Sequence, residues 1–219
     1  MTKLAIFDCD GTLVDSQANI CMAMEHAFEE AGLTPPMRHE TRRVVGLSLV
    51  ESMRMLLPEA ADDLHHDLAD KYRSAFWTLR SNGLVDEPLY DGMAALLSSL
   101  DESGWMLGVA TGKSDRGLTR CLDHHALRPL FVTLQTADRH PSKPHPSMVY
   151  QALAEAGADA ANAVVIGDTV YDIHMGRAAG TRTVGVNWGY HSVADLREAG
   201  ADYIAESMDE LKVYLENFA

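Results

Sequence analysis

The sequence predicts an α/β fold: a parallel sheet covered by helices and interrupted after its first strand by an all-helical insert. Three observations carry that expectation. From about residue 86 onward, short apolar runs alternate with amphipathic stretches of helical period, the pattern of successive βαβ units. The apolar runs are continuous rather than alternating, as expected of strands buried on both faces. Between residues 16 and 82 this rhythm breaks, and apolar residues recur only at helical spacing.

Taken in order, Leu4-Ala5-Ile6-Phe7 is a short unbroken apolar run closed by a glycine-containing turn, which reads as a buried strand. Ile20, Ala23, Met24, Ala27, Phe28 and Ala31 then mark one helical stripe that stops at Gly32. Leu49, Met53, Leu56 and Leu57 mark a second, ended by Pro58. Leu64, Leu68, Tyr72, Phe76 and Leu79 mark a third, ended near Asn82-Gly83. Methionines in these stripes read as gap-filling core. A helix face follows at Met93, Leu96, Leu97 and Leu100, then a strand at Met106–Ala110, a helix from Ser114 to His125 and a strand at Phe131–Leu134. A helix from Ser147 to Ala156 leads to the strand Ala163–Ile166. The last pair is a helix closed by Gly180 and the strand Thr183–Val186. The expected division is a core of residues 1–15 and 86–219 with an insert of residues 16–85. No internal repeat or low-complexity tract interrupts it.

Of the 219 residues, 47% are apolar, enough for a packed interior, and the formal net charge is −14. That balance argues against nonspecific binding to nucleic acid; an anionic substrate would need a metal or local cations. No apolar window is long enough to predict a membrane span. Cys9, Cys21 and Cys121 form no C-x-x-C pair, and no basic stretch leads into a signal-type apolar core, so a reducing cytoplasm is the expected setting. Small residues such as Gly176, Ala178 and Ala179 fit close helix–sheet packing and leave the oligomeric state unread.

The chemistry gathers where strands end. Asp8 and Asp10 follow the first strand, and at i and i+2 their side chains point to one side. Crowded carboxylates repel, and a divalent cation with oxygen ligands would offset the cost. Thr111-Gly112-Lys113 follows the second strand, Lys143 sits in a loop before a helix, and Gly167-Asp168-Thr169 follows a later strand, with Asp172 four residues on. If Asp168 caps the next helix, Asp172 lies one turn along it. Singly, Thr111, Lys143 and Asp168 read more readily as a helix cap, a loop charge and an N-cap, and Asp8 with Asp10 has the plain alternative of a solvated acidic turn. Together they fall where parallel α/β sheets place ligand sites, beyond the carboxyl ends of the strands.

The stretches Phe7–Ser16, Val109-Ala110-Thr111-Gly112, Lys143-Pro144 and Gly167–Asp172 together resemble the haloacid dehalogenase superfamily, in its phosphatase branch. The whole chain resembles the phosphoglycolate-phosphatase-like group, whose helical cap is inserted after the first motif. The resemblance implies a Rossmann-like core and a phosphatase acting on a small phosphorylated metabolite, with neither nucleic acid nor membrane as partner. It implies Asp8 as nucleophile and Asp10 as general acid and base. Thr111, Gly112 and Gly11 would hold phosphate oxygens, and Lys143 would offset charge. Magnesium would be bound by the Asp8 carboxylate, the Asp10 carbonyl and Asp168, with Asp172 acting directly or through water. The loop Gly46-Leu47-Ser48-Leu49 matches the place where caps of this group reach the site, with Arg43 just before it as a candidate substrate contact. Pyrophosphatase and β-phosphoglucomutase-like activities remain alternatives. Ile20 and Leu49 occupy the cap positions where mutases typically carry His and Arg. A receiver-type signalling domain would explain Asp8, Asp10, Thr111 and Lys143, but neither the insert nor the Asp168–Asp172 pair.

Overall fold

The strands are β1 (Leu4–Phe7), β2 (Met106–Thr111), β3 (Phe131–Thr136), β4 (Ala163–Gly167), β5 (Arg182–Val186) and β6 (Tyr203–Ala205) in a computed structural model that describes residues 2–218. They form one sheet in the order β3-β2-β1-β4-β5-β6, with every pairing parallel. All four β1 residues are fully buried. Successive side chains point to opposite faces: Leu4 and Ile6 join one core layer with Met148 and Val165. Ala5 and Phe7 join the other with Leu97 and Val109. Each large side chain buried this way contributes about 1.5–3 kcal/mol.

The helices α5 (Met93–Glu102), α6 (Asp115–His124) and α10 (Met208–Glu216) cover the Phe7 face. The helices α7 (Ser147–Ala156) and α8 (Val170–Ala179) cover the Ile6 face. Gly176 lies where α8 meets the sheet, and a Cβ there would come within 2.6 Å of Thr183 Cγ2. Register places Phe7 beside Val109 on one side and Ile166 on the other. The carboxyl ends of β1, β2 and β4 therefore open into one crevice, at the point where the strand order changes direction.

Between β1 and α5 the chain forms four helices and no strand: α1 (Gln17–Glu30), α2 (Arg38–Arg43), α3 (Leu49–Leu56) and α4 (Asp62–Ser81). Their apolar faces build a separate cluster in which Ile20, Met24 and Phe28 of α1 meet Leu68, Ala69 and Tyr72 of α4, with Met53 of α3. The α/β class and the helical cap inserted after the first strand are thus both present. The chain enters and leaves this cap side by side. Asp15 N donates to Pro88 O at 2.9 Å, and Tyr90 N donates to Leu13 O at 3.1 Å.

Several features differ from expectation. β1 ends at Phe7, so Asp8 and Asp10 lie in the turn beyond it and strand alternation does not position them. β2 and β3 run one and two residues longer than expected, which makes Thr111 the last residue of its strand. β6, α2, α9 (Val193–Glu198) and α10 were not foreseen. β6 has only three residues, too few to show a period. It is anchored from Asp202, whose carboxylate accepts the Thr183 amide at 2.8 Å and the Thr183 hydroxyl at 3.0 Å.

Candidate active site

Asp8 continues the sheet by one bond, its amide donating to Ile166 O at 2.9 Å. The chain then turns sharply, with the Leu13 amide returning to Cys9 O at 2.9 Å. Gly11 makes this turn at φ +85°, a conformation that only glycine adopts without cost. A Cβ at Gly11 would lie 2.3 Å from Asp168 Oδ2, and one at Gly189 only 2.1 Å from Asp168 Cβ. Backbone thus packs against Asp168 from two sides. Its carboxylate accepts Thr12 Oγ1 at 2.8 Å and the Tyr190 amide at 2.9 Å.

Asp168 does not cap α8; Thr169 does. Thr169 and Asp172 form a capping box in which Asp172 Oδ2 accepts the Thr169 amide at 3.1 Å and its hydroxyl at 2.7 Å. The cap falls one residue later than expected because Asp168 is claimed by the first turn. Asp172 Oδ1 accepts Lys143 Nζ at 2.6 Å, and the same ammonium lies 2.9 Å from Asp8 Oδ1. That second contact is an ion pair off the hydrogen-bonding direction, and neither Asp8 carboxylate oxygen accepts a hydrogen bond. The Lys143 side chain is fully buried.

Burial pushes the Asp8 carboxyl up to about 7 against the pull of Lys143, and Asp172 and Asp10 add to the rise. Burial, then Asp8 and Asp172, hold Asp168 well above the usual carboxylate range. Burial opposes the Lys143 charge, but Asp172 and Asp8 outweigh it and keep that ammonium protonated.

Asp10 turns to a different partner. Its carboxylate accepts the Ser16 hydroxyl and lies 2.8 Å from Lys113 Nζ. Lys113 is also 2.7 Å from buried Glu87, which pairs with Arg80 at 2.5 Å. Burial works against the Lys113 charge, yet Asp10 and Glu87 hold its pKa well above the lysine range. Thr111 is buried, and its hydroxyl accepts the Lys113 amide at 3.3 Å. The cap loop rests on this floor. A Cβ at Gly112 would meet Leu47 O at 2.5 Å and Gly46 O at 2.8 Å, and the Ser48 amide donates to Ser142 Oγ at 2.8 Å. A cavity of about 450 Å³ remains between cap and core, with Asp8, Asp10, Thr111 and Gly112 at its base and Gly46, Leu47 and Ser48 in its wall.

The sequence profile of the haloacid dehalogenase-like hydrolase family matches residues 5–186. The chain belongs to the haloacid dehalogenase-like hydrolases. It is 32% identical over 216 residues to the probable phosphatase IndB of Dickeya dadantii, covering 96% of this chain and 92% of that one. It is 31% identical over 207 residues to the pyrophosphatase PpaX of Bacillus pumilus, covering 94% and 93%. It is 28% identical over 222 residues to the phosphoglycolate phosphatase of Nitrosococcus oceani, covering 99% and 98%. A crystal structure of a predicted phosphatase from Clostridium acetobutylicum superposes with a TM-score of 0.87 at 28% identity, covering 99% of both chains.

In this haloacid dehalogenase-like hydrolase, Asp8, Asp168 and Asp172 each offer an oxygen within 4.8 Å of the others. Three buried carboxylates face one ammonium, an excess that a divalent cation with oxygen ligands would balance. Asp8 Oδ1 is paired with Lys143 alone and Oδ2 has no partner, so the donor set fits such an ion. The Asp10 carboxylate is not part of this cluster. Arg43 is exposed, and its carbonyl rather than its side chain is engaged, accepting Tyr171 OH at 2.9 Å and the His191 ring at 3.2 Å. Lys113, Glu87 and Ser16 escaped the sequence reading as site residues. Lys113 was visible beside Thr111-Gly112, but Glu87 and Ser16 lie in the linkers, where no spacing marks them.

Proposed function

We propose that this chain is a magnesium-dependent phosphatase that hydrolyses a small phosphomonoester, of phosphoglycolate or sugar-phosphate type, through an aspartyl-phosphate on Asp8. One observation carries the reading: Asp8 is buried at the base of a cavity, beside an ammonium, with neither carboxylate oxygen hydrogen-bonded. Buried polar groups with a structural role are satisfied; an unsatisfied carboxylate at a cavity base suits a nucleophile that is also a metal ligand.

Asp8 would attack phosphorus while the bond to the leaving oxygen breaks, and Asp10 would give that oxygen its proton. Asp10 would then take a proton from the attacking water, and the phosphorus–Asp8 bond would break to release phosphate. The Ser16 and Lys113 contacts hold Asp10 in place for both steps. Thr111 with the Gly112 amide would bind phosphate oxygens, and Lys143 would offset charge on Asp8 and the phosphoryl group; the Gly11 amide, expected to join them, instead donates to Val14 O at 2.9 Å and closes the turn. Magnesium held by Asp8, the Asp10 carbonyl and Asp168 would stabilise negative charge on the phosphoryl oxygens when bound. Asp172, whose oxygens already serve Lys143 and Thr169, would orient Lys143 and act on the ion through water.

In this reading residues 1–15 and 86–219 form the catalytic core and residues 16–85 the cap. The cap loop Gly46–Ser48 selects small substrates, and Arg43 contributes through its carbonyl at the cap–core contact. The apolar Ile20 and Leu49 in the cavity wall weigh against a mutase, which must hold a sugar phosphate in two orientations. Inorganic pyrophosphate is a second reading, favoured by the similarity to PpaX. The three cysteines are free and buried, which supports a reducing cytoplasm. No helix among the described residues is long and apolar enough to cross a membrane.

The test is phosphate release from a panel of small esters and pyrophosphate, with and without magnesium. Magnesium-dependent release that Asp8→Asn abolishes is expected. Release that survives Asp8→Asn would overturn the nucleophile assignment, and no release from any ester would overturn the phosphatase reading.

A further inference from the structure

The outer wall of the cavity carries positive charge that the chemistry at Asp8 leaves unused. Arg116 and Arg120 stand one turn apart on α6, and both guanidiniums lie over the ring of Trp77 on α4, 4.1 Å and 4.7 Å from its centroid. The two helices belong to core and cap, so the cluster spans the cleft between them. Arg80 reaches the neighbouring Phe76 ring at 5.5 Å. Arg80 is neutralised by Glu87 and Arg73 by Asp70, each at 2.5 Å. Neither Arg116 nor Arg120 makes an ion pair among the described residues. Asp138, a carboxylate on the same wall, accepts the Asp115 amide at 2.8 Å. In a chain of net charge −14, two uncompensated guanidiniums on one ring are conspicuous. Stacking on the indole holds them at the cavity edge, and an anion bound between them would offset their mutual repulsion.

Leu47, Leu49 and Phe76 give the cavity an apolar stretch of wall, and Lys113 Nζ lies 5.9 Å from the Phe76 ring centroid. The cavity, at about 450 Å³, falls in the range of roughly 300–1,000 Å³ that houses ligands much larger than a two-carbon ester. We propose that Arg116 and Arg120 form a second anion subsite. The preferred substrate is then a phosphate ester whose far end, beyond a carbon chain or sugar, carries another phosphate or a carboxylate. The planar guanidinium fork suits either group. This inference rests on the phosphatase reading, since it takes the scissile phosphate to lie at Asp8.

The experiment uses alkyl phosphates of equal length ending in methyl, carboxylate or phosphate, compared on the wild-type chain and on the double variant Arg116→Gln, Arg120→Gln. The expected result is a kcat/KM advantage of the anion-ended esters over the methyl ester of about tenfold or more. That advantage should be lost in the Gln pair, reduced but not abolished in an Arg116→Lys, Arg120→Lys pair, which keeps the charge without the fork or the stacking, and weakened by salt. An advantage for either anion supports the subsite; a ratio that is absent in the wild type, or that survives in the Gln pair, overturns it. Calorimetric binding of the same esters to Asp8→Asn gives a readout independent of turnover. If anion-ended esters bind more tightly there, and only while both arginines are present, the subsite stands even when no ester is hydrolysed. Equal binding with and without the arginines would overturn it.

Discussion

Gly11 sets the tolerance of the acidic cluster. It occupies left-handed backbone at φ +85°, and a Cβ there would overlap the Asp168 carboxylate at 2.3 Å. Gly11→Ala should cost about 1–2 kcal/mol from the backbone alone, with further loss from displacing a buried carboxylate that cannot retreat past Gly189. Thermal unfolding would show a lowered Tm, and magnesium titration a weakened site; an unchanged affinity would mean that Asp168 does not hold the ion. At this scale the sequence was informative. Asp8, Thr111, Lys143 and Asp168 sit at the ends of apolar runs or in a loop between recognisable elements, so their neighbourhood follows from strand order. The Lys113–Asp10–Glu87 chain was not legible, because Glu87 meets Lys113 only after the linker leaving the cap passes the end of β2.

α8 illustrates what one element supplies. Its first turn is closed by a reciprocal pair in which Asp172 caps Thr169 while presenting its other oxygen to Lys143. Thr169→Ala removes the hydroxyl that donates to Asp172 Oδ2 at 2.7 Å and accepts the Asp172 amide at 3.4 Å, and should cost about 1 kcal/mol of stability. Asp172 Oδ2 would then be held only by the Thr169 amide at 3.1 Å, and weakening such an outer support lowers metal affinity, by about 10–100-fold where it is lost. Calorimetric titration with magnesium and a urea melt would separate these effects; a stability loss with undiminished affinity would confine Thr169 to capping. The spacing of Asp168 and Asp172 was readable from the sequence, but which residue caps was not. That depended on Thr12 and Tyr190 reaching Asp168 from distant segments. Long apolar stripes such as those of α1 and α4 were legible for the same reason that α2 and β6 were not: a period needs several turns or pleats to show.

For the molecule as a whole, the two linkers between core and cap run side by side. The cap loop is held over the site by the Ser48–Ser142 bond and by the Arg43 carbonyl, which accepts from Tyr171. A cap that excludes water during phosphoryl transfer must open to admit substrate and release phosphate. Ser48→Cys with Ser142→Cys, oxidised to a cross-link, should therefore abolish most turnover, and a reductant should restore it. The native cysteines are buried and do not compete. Full turnover in a chain shown by mass to be cross-linked would rule out cap opening as a required step.

The alternation of strands and helices as far as β5, the helical insert and the acidic, threonine and lysine positions were set by local pattern alone. Apolar period reports which faces are buried, and residue type at a strand end reports the chemistry available there. Tertiary structure alone decided the pairing of charges, the capping of α8 and the gathering of Arg116 and Arg120 on Trp77. These depend on side chains far apart in the chain being brought within a few ångströms, and no local period encodes such distances.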